Sequence, residues 1–310
     1  MGTYRILTFD GGGIRGIITT ILLQRLSAEA KLGGWLDSVD LIAGTSTGGL
    51  IALALAHDIS LDEIRLLYET RGAQIFDDSW LDNLADMGQA IGAQYDNTNL
   101  ADELGNFFGQ TTLAQLKKKV LITAFKLDNE TSDPAKRRWK PKIFHNFPGT
   151  DSDGSILARK VGLYTTAAPT YFPSVDGYID GGVYANNPSM CALTQTQDER
   201  VRNRPALPDI VLFSLGTGTS LTFIPGKRLD WGLAQWAKPL VSLMLDSDSG
   251  IADYQCQKLI GKRYHRLAPV FPPGVSLPLD AIKRIPDMIQ FAEGIDLAST
   301  IKWLKKNWMA

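Results

Sequence analysis

The sequence predicts an α/β fold in which a largely parallel central sheet is flanked by helices. Two strand-like apolar runs turn through glycine-rich segments straight into apolar helices. Tyr4–Phe9 enters Asp10-Gly11-Gly12-Gly13-Ile14-Arg15-Gly16, and residues 39–43 enter Gly44-Thr45-Ser46-Thr47-Gly48. A further parallel-type run, Ile210–Leu215, ends in Gly216-Thr217-Gly218-Thr219. The 310 residues are 44% hydrophobic, enough for a sizeable core, and no break in composition divides them.

In chain order, Tyr4–Phe9 reads as the first strand, and the helix after its glycine loop keeps an apolar period to about Ala28. Residues 39–43 form a second strand, and residues 49–56 are apolar all round, as in a buried helix. A surface helix is expected over 61–71. Beyond it Phe76, Trp80, Leu84, Met87 and Ile91 recur at helical spacing, a pattern suited to core packing, to a lid or to the wall of an acyl-chain channel. Strands at 120–125 and 142–147 enclose a polar excursion. Its segment Lys136-Arg137-Arg138-Trp139-Lys140 suits either anionic headgroups or plain solvation. A helix through about Thr166 stops before Pro169 and Pro173. Tyr178-Ile179-Asp180-Gly181-Gly182 then sets an acid at the end of a short strand. Helical pattern over 231–245, a strand at Tyr264–Leu267 and largely helical pattern over 280–307 complete the chain.

The balance of 32 basic and 33 acidic residues provides no global field for nucleic acid, so such a partner is not expected. Cys191 and Cys256 have neither zinc-site nor disulfide-framework spacing, which fits a reducing, cytoplasmic setting. The N-terminus shows no signal-peptide pattern, Ile6 stands where myristoylation requires Ser or Thr, and no apolar run reaches a transmembrane length. Any membrane contact is expected to be peripheral. The basic and aromatic residues of 301–308 suit such a contact, or a terminal helix packed on its own domain. Ligand spacing implies no metal, and the chemistry below needs no cofactor.

The segment Gly44-Thr45-Ser46-Thr47-Gly48 has the form of a nucleophile elbow, with Gly44 and Gly48 relieving a tight strand-to-helix turn and Ser46 held at a helix N-terminus. The plainer alternative is a serine N-cap. The loop Gly11 to Gly16 exposes backbone amides to an anion. It satisfies the G-x-G-x-x-G pattern, but Gly44-Thr45-Ser46 stands where a dinucleotide site wants an acid, at the end of the second strand. Because both loops follow adjacent parallel strands, an oxyanion hole beside Ser46 is the better reading. A serine nucleophile needs a base, usually histidine. Among the three histidines, His57 lies roughly 16 Å along the helix from Ser46, and His145 and His265 fall inside strands. The candidate base is therefore an acid at the same sheet edge, Asp180.

In this order, Asp10-Gly11-Gly12-Gly13-Ile14-Arg15-Gly16, Gly44-Thr45-Ser46-Thr47-Gly48 and Asp180-Gly181-Gly182 resemble the patatin-like phospholipase family. The stretches Ala167-Ala168-Pro169-Thr170-Tyr171-Phe172-Pro173 and Ser214-Leu215-Gly216-Thr217-Gly218 add to the resemblance, which covers nearly the whole chain. It implies a single three-layer α/β domain over 1–310, with a core at about 4–220 and a C-terminal helical extension at about 228–310 packed on it. It also implies a Ser-Asp dyad of Ser46 and Asp180, an oxyanion hole around Gly11, Gly12, Gly13 and Arg15, and an acyl-lipid substrate. Gly16, Gly44, Gly48, Gly181 and Gly182 support these motifs; Gly182 stands where many relatives carry Ala. The implied activity is hydrolysis of lipid acyl esters. The alternatives are a Ser-Asp-His carboxylesterase using His265, a nucleotide- or anion-binding module at Gly11 to Gly16, and a non-catalytic lipid-binding protein.

Overall fold

The structure, a computed structural model, describes residues 2–72, 95–201 and 203–309. Its sheet contains β1 (Tyr4–Phe9), β2 (Leu41–Thr45), β3 (Lys119–Lys126), β4 (Lys140–His145), β5 (Tyr178–Asp180), β6 (Ile210–Leu215) and β7 (Tyr264–Leu267). The spatial order is β4-β3-β2-β1-β6-β7. The four pairings from β3 through β2, β1 and β6 to β7 are parallel, whereas β4 and β5 each run antiparallel to β3. Strands β2 and β6 are buried throughout, as their continuous apolar sequences require between two covering layers.

Side-chain alternation along the strands creates those layers. Leu7, Phe9, Ile42, Ile122 and Phe213 enter one core; Ile6, Leu41, Leu121, Ile210 and Leu212 enter the other. The helices are α1 (Gly16–Ser27), α2 (Thr47–Ala56), α3 (Leu61–Leu66), α4 (Thr98–Phe108), α5 (Ala158–Thr166), α6 (Gly182–Ala185), α7 (Ser189–Gln195), α8 (Leu233–Ile260), α9 (Ile285–Gly294) and α10 (Ala298–Trp303). Helix α1 is apolar on almost every side because the sheet and α9 enclose it. On the opposite face, α7 and the end of α8 bury Leu193, Cys256 and Ile260. No helix among the described residues is long and apolar enough to cross a membrane.

Most expected elements stand where the pattern placed them, with shifted ends. The 61–71 helix begins as α3, with Ser60 and Glu63 forming a capping box, and finishes as a π-helical segment, Leu67–Arg71. Helix α8 runs fifteen residues past the expected end at 245. Its continuation, Asp246-Ser247-Asp248-Ser249-Gly250, lacks an apolar period because Asp248 and Ser249 bond to the turn at Asn186 and Asn187. The expected helix carrying Phe76, Trp80 and Ile91 lies outside the described residues. The C-terminal segment packs on the chain: Trp308 is fully buried and donates to Trp35 O at 3.2 Å and Ser38 Oγ at 3.0 Å. Trp303 stacks on His265 with centroids 5.1 Å apart.

The turn from β2 to α2 has no room for side chains on its glycines. A Cβ at Gly44 would lie 2.1 Å from Gly48 O, and one at Gly48 would lie 2.4 Å from Phe9 O. Both obstacles are backbone, so rotamer changes give no relief. Gly48→Ala should lower stability by about 1–3 kcal/mol or more, measured by denaturant unfolding; an unchanged midpoint would contradict this packing.

Candidate active site

Ser46 occupies the sharp bend that the two glycines permit. Its φ of 54° and ψ of −126° are unusual for a residue with a Cβ, a strain of about 1–3 kcal/mol held by surrounding contacts. Its amide donates to Thr165 Oγ1 at 2.8 Å, and the adjacent Thr45 hydroxyl bonds to Thr123 Oγ1 at 2.7 Å and to Ala185 O. Although Ser46 stands at the N-cap position of α2, its side chain makes no capping bond. The hydroxyl therefore remains available at the positive end of α2.

Sheet register brings Asp180 to it. Thr45, the last residue of β2, pairs with Thr123, and Asp180 pairs with the next residue of β3, Ala124. Strand β5 thus takes over beside β3 where β2 stops. The Asp180 carboxyl accepts a hydrogen bond from the Gly182 amide at 2.7 Å, and the Ser46 hydroxyl lies beside it. Burial pushes its pKa up to about 6, against the lowering effect of the Ser46 hydroxyl and the Gly182 amide.

The glycine loop closes the third side. Its Gly11 amide donates to Asn186 O at 3.0 Å, Ile14 to Leu279 O at 2.8 Å and Arg15 to Gly12 O at 3.1 Å. Among the described residues, the Gly12 and Gly13 amides have no such acceptor. The expected set of Gly11, Gly12, Gly13 and Arg15 thus divides into two amides used to shape the loop and two left open. Gly13 has a φ of 57°, and a Cβ there would meet Leu279 O at 2.2 Å.

Below the loop, Arg266 forms a bidentate ion pair with Asp10 and also donates to Ser214 Oγ at 2.8 Å. This pair anchors the loop to β6 and β7. The Arg15 side chain borders the site, its Nε 3.3 Å from Gly12 O, and burial lowers its pKa to about 10 despite the opposing charges of Asp246, Tyr171 and Asp10.

A cavity of about 200 Å³ runs from Ser46, Asp180 and Gly12 between hydrocarbon walls that include Leu50, Leu67, Leu100, Phe172, Met244 and Leu245. No histidine lines it. His57 caps the far end of α2, His145 lies near Asp151 with Nε2 at 3.5 Å, and His265 pairs with Thr300 Oγ1 at 2.9 Å. The triad alternative therefore lacks its base in this arrangement. Among the described residues, no group of three His, Cys, Asp or Glu side chains converges as metal ligands.

The supporting residues Thr165, Asn186, Arg266, Asp248 and Ser249 were not legible as site residues in the sequence. Each acts through a contact between distant segments, and only Asn186, just after the Asp180 motif, had a local signal. Helix α8 gathers several of them: Asp248 accepts from the Asn187 amide at 3.2 Å, and Asn186 Nδ2 donates to Ser249 Oγ at 3.1 Å.

The family model described as patatin-like phospholipase matches residues 7–193, which include the glycine loop, the elbow and Asp180. The chain belongs to the patatin-like phospholipase family. This family consists of lipid acyl hydrolases. The patatin-like chain is 30% identical over 289 residues to a cGAMP-activated phospholipase of Pseudomonas aeruginosa (strain BWHPSA011 / Pa011), covering 91% of this chain and 83% of that protein. It is 27% identical over 308 residues to Patatin-like protein 3 of Arabidopsis thaliana, covering 81% of this chain and 69% of the other. A similarity to the solved structure of VipD from Legionella pneumophila covers 93% of this chain and 67% of that one, at 11% identity and a TM-score of 0.43.

Removing the cation that faces buried Asp10 should destabilise this patatin-like fold. Arg266→Met is expected to cost about 3–5 kcal/mol, measured by denaturant unfolding. A loss no larger than that of an exposed substitution would contradict the anchoring role of the ion pair.

Proposed function

We propose that this chain cleaves carboxylic esters of acyl lipids, as a phospholipase A or lysophospholipase, with Ser46 as nucleophile and Asp180 as base. The supporting observation is the juxtaposition of the Ser46 hydroxyl, the buried Asp180 carboxyl and the open Gly12 and Gly13 amides at one end of an apolar cavity. An acyl chain fits the hydrocarbon walls, while the ester carbonyl lies at the polar end.

Asp180 accepts the Ser46 proton as Oγ attacks the ester carbonyl. The Gly12 and Gly13 amides donate to the developing oxyanion, aided by the N-terminus of α2. Collapse expels the alcohol portion, which takes the proton held by Asp180, and leaves an acyl-serine. Water attacks that ester with Asp180 again accepting a proton, and the fatty acid departs as Ser46 is restored. Burial makes Asp180 a stronger base than a solvated aspartate, whose pKa is about 3.9. Orientation and aligned dipoles must provide the remaining acceleration.

Mass-spectrometric analysis of products from phospholipid and lysophospholipid vesicles, with a soluble short-chain ester in parallel, tests the substrate class. Wild type should release fatty acid and lysolipid, and Ser46→Ala should release neither. Cleavage of the soluble ester alone would retain the hydrolase chemistry but contradict the lipid assignment.

The pH dependence follows from the base. Below about 6 Asp180 holds its proton, so kcat/KM should rise through pH about 6 and level above it. A profile flat between pH 5 and 8 would contradict Asp180 as base. The raised pKa also has a sign for stability. Its stabilising contribution is present below the ordinary aspartate pKa and is lost as pH rises through about 6. Asp180→Asn removes the buried charge but retains an oxygen for the Gly182 amide. At pH above 7 it should therefore melt no lower than wild type while turnover falls by about 10²–10⁴-fold. Retained turnover, or a fold lost together with it, would contradict this balance.

A further inference from the structure

We infer that the β3–β4 hairpin tip is a docking element for anionic lipid surfaces, centred on Trp139 with Arg138 and Lys140 beside it. The inference rests on the lipid hydrolase reading for its purpose, but on separate residues for its evidence. Strand β3 runs parallel to β2, so its carboxyl end lies at the sheet edge that carries Ser46. The chain continues past that edge from Lys126 and returns at Lys140, the register partners at the base of the hairpin. The tip thus projects on the active-site side of the sheet and does not extend from its opposite end.

Its composition departs from that of the balanced chain. Residues 126–142 hold six cations and three carboxylates. The carboxylates are already engaged: Asp128 with Arg137, Glu130 with Lys126 and Asp133 with Lys136. Among the described residues, Arg138 and Lys140 have no carboxylate partner. Between them Trp139 is 70% exposed, and Leu127 on the facing strand end is 41% exposed. An exposed indole between two uncompensated cations matches the chemistry of an anionic bilayer surface, where the ring occupies the headgroup level and the cations meet lipid charge.

A second loop supports this orientation. Strand β6 is parallel to β1 and ends at the same sheet edge, and the loop beyond it exposes Phe223 by 84% and Leu221 by 63%. Apolar side chains therefore stand exposed on loops leaving the catalytic edge at two positions in the sheet. A bilayer facing that edge meets both loops and the cavity between its flanking strands.

The test measures binding separately from turnover. Ser46→Ala protein is sedimented with vesicles of phosphatidylcholine alone or mixed with phosphatidylglycerol, at low and high salt. Binding should favour the mixed vesicles and weaken with salt. Adding Trp139→Ala, Arg138→Gln and Lys140→Gln together should weaken it by about tenfold or more. Arg138→Gln with Lys140→Gln, leaving the indole in place, should chiefly remove the salt-sensitive part. In the protein with Ser46 intact, the three substitutions should spare hydrolysis of a soluble short-chain ester. Equal binding by the substituted protein, or no preference for anionic vesicles, would overturn the docking assignment. Absence of ester hydrolysis by wild type would instead count against the hydrolase reading, since sedimentation requires no turnover.

Discussion

The close approach between the β2–α2 turn and the end of β1 governs the arrangement of the site. Gly48 faces the carbonyl oxygens of Phe9 and Asp10, and Gly44 faces Gly48 itself, at separations that leave no space for a methyl group. This contact lets α2 start directly above the parallel strands and fixes Ser46 in its strained conformation. It also brings the glycine loop after β1 beside the serine. Loosening it would move Ser46 and the open Gly12 and Gly13 amides relative to each other, and the proposed catalysis would be sensitive to displacements of about 1 Å.

Around that contact, the fold buries charge unevenly. Asp10 is matched by Arg266, a bidentate partner, and serves to hold the loop. Among the described residues no cation pairs with Asp180; the Ser46 hydroxyl and the Gly182 amide, neutral donors, oppose the effect of burial. A paired acid gives rigidity, whereas an acid held by neutral donors keeps an elevated proton affinity. The same sheet edge therefore carries a structural carboxylate and a candidate base, distinguished by their neighbours. Helix α8 completes the enclosure by supplying Met244 and Leu245 to the cavity and fastening the turn at Asn186 and Asn187.

Much of this was legible in the sequence because it depends on local rules. Strand runs, glycine turns and an apolar helix located Ser46, and elimination of His57, His145 and His265 left Asp180. The register that joins Asp180 to Ser46 was not legible, since β5 is only three residues long and pairs with a strand more than fifty residues earlier. Which loop amides remain open was equally hidden: the acceptors Asn186 and Leu279 are remote in sequence from Gly11 and Ile14. The extent of α8 escaped a hydrophobic-period reading because its middle carries polar residues bonded outward. The basic and aromatic C-terminal segment offered two readings, and the burial of Trp308 with its bonds to Trp35 and Ser38 shows packing on the chain.

The proposed chemistry depends on a covalent bond between substrate acyl group and Ser46. The direct measurement is intact-protein and peptide mass spectrometry after brief reaction with a slowly deacylating ester, using wild type and Asp180→Asn. An acyl increment on Ser46, formed rapidly in wild type and much more slowly in Asp180→Asn, is expected. Turnover with no acyl-Ser46, or equal acylation rates in the two proteins, would contradict the assigned dyad.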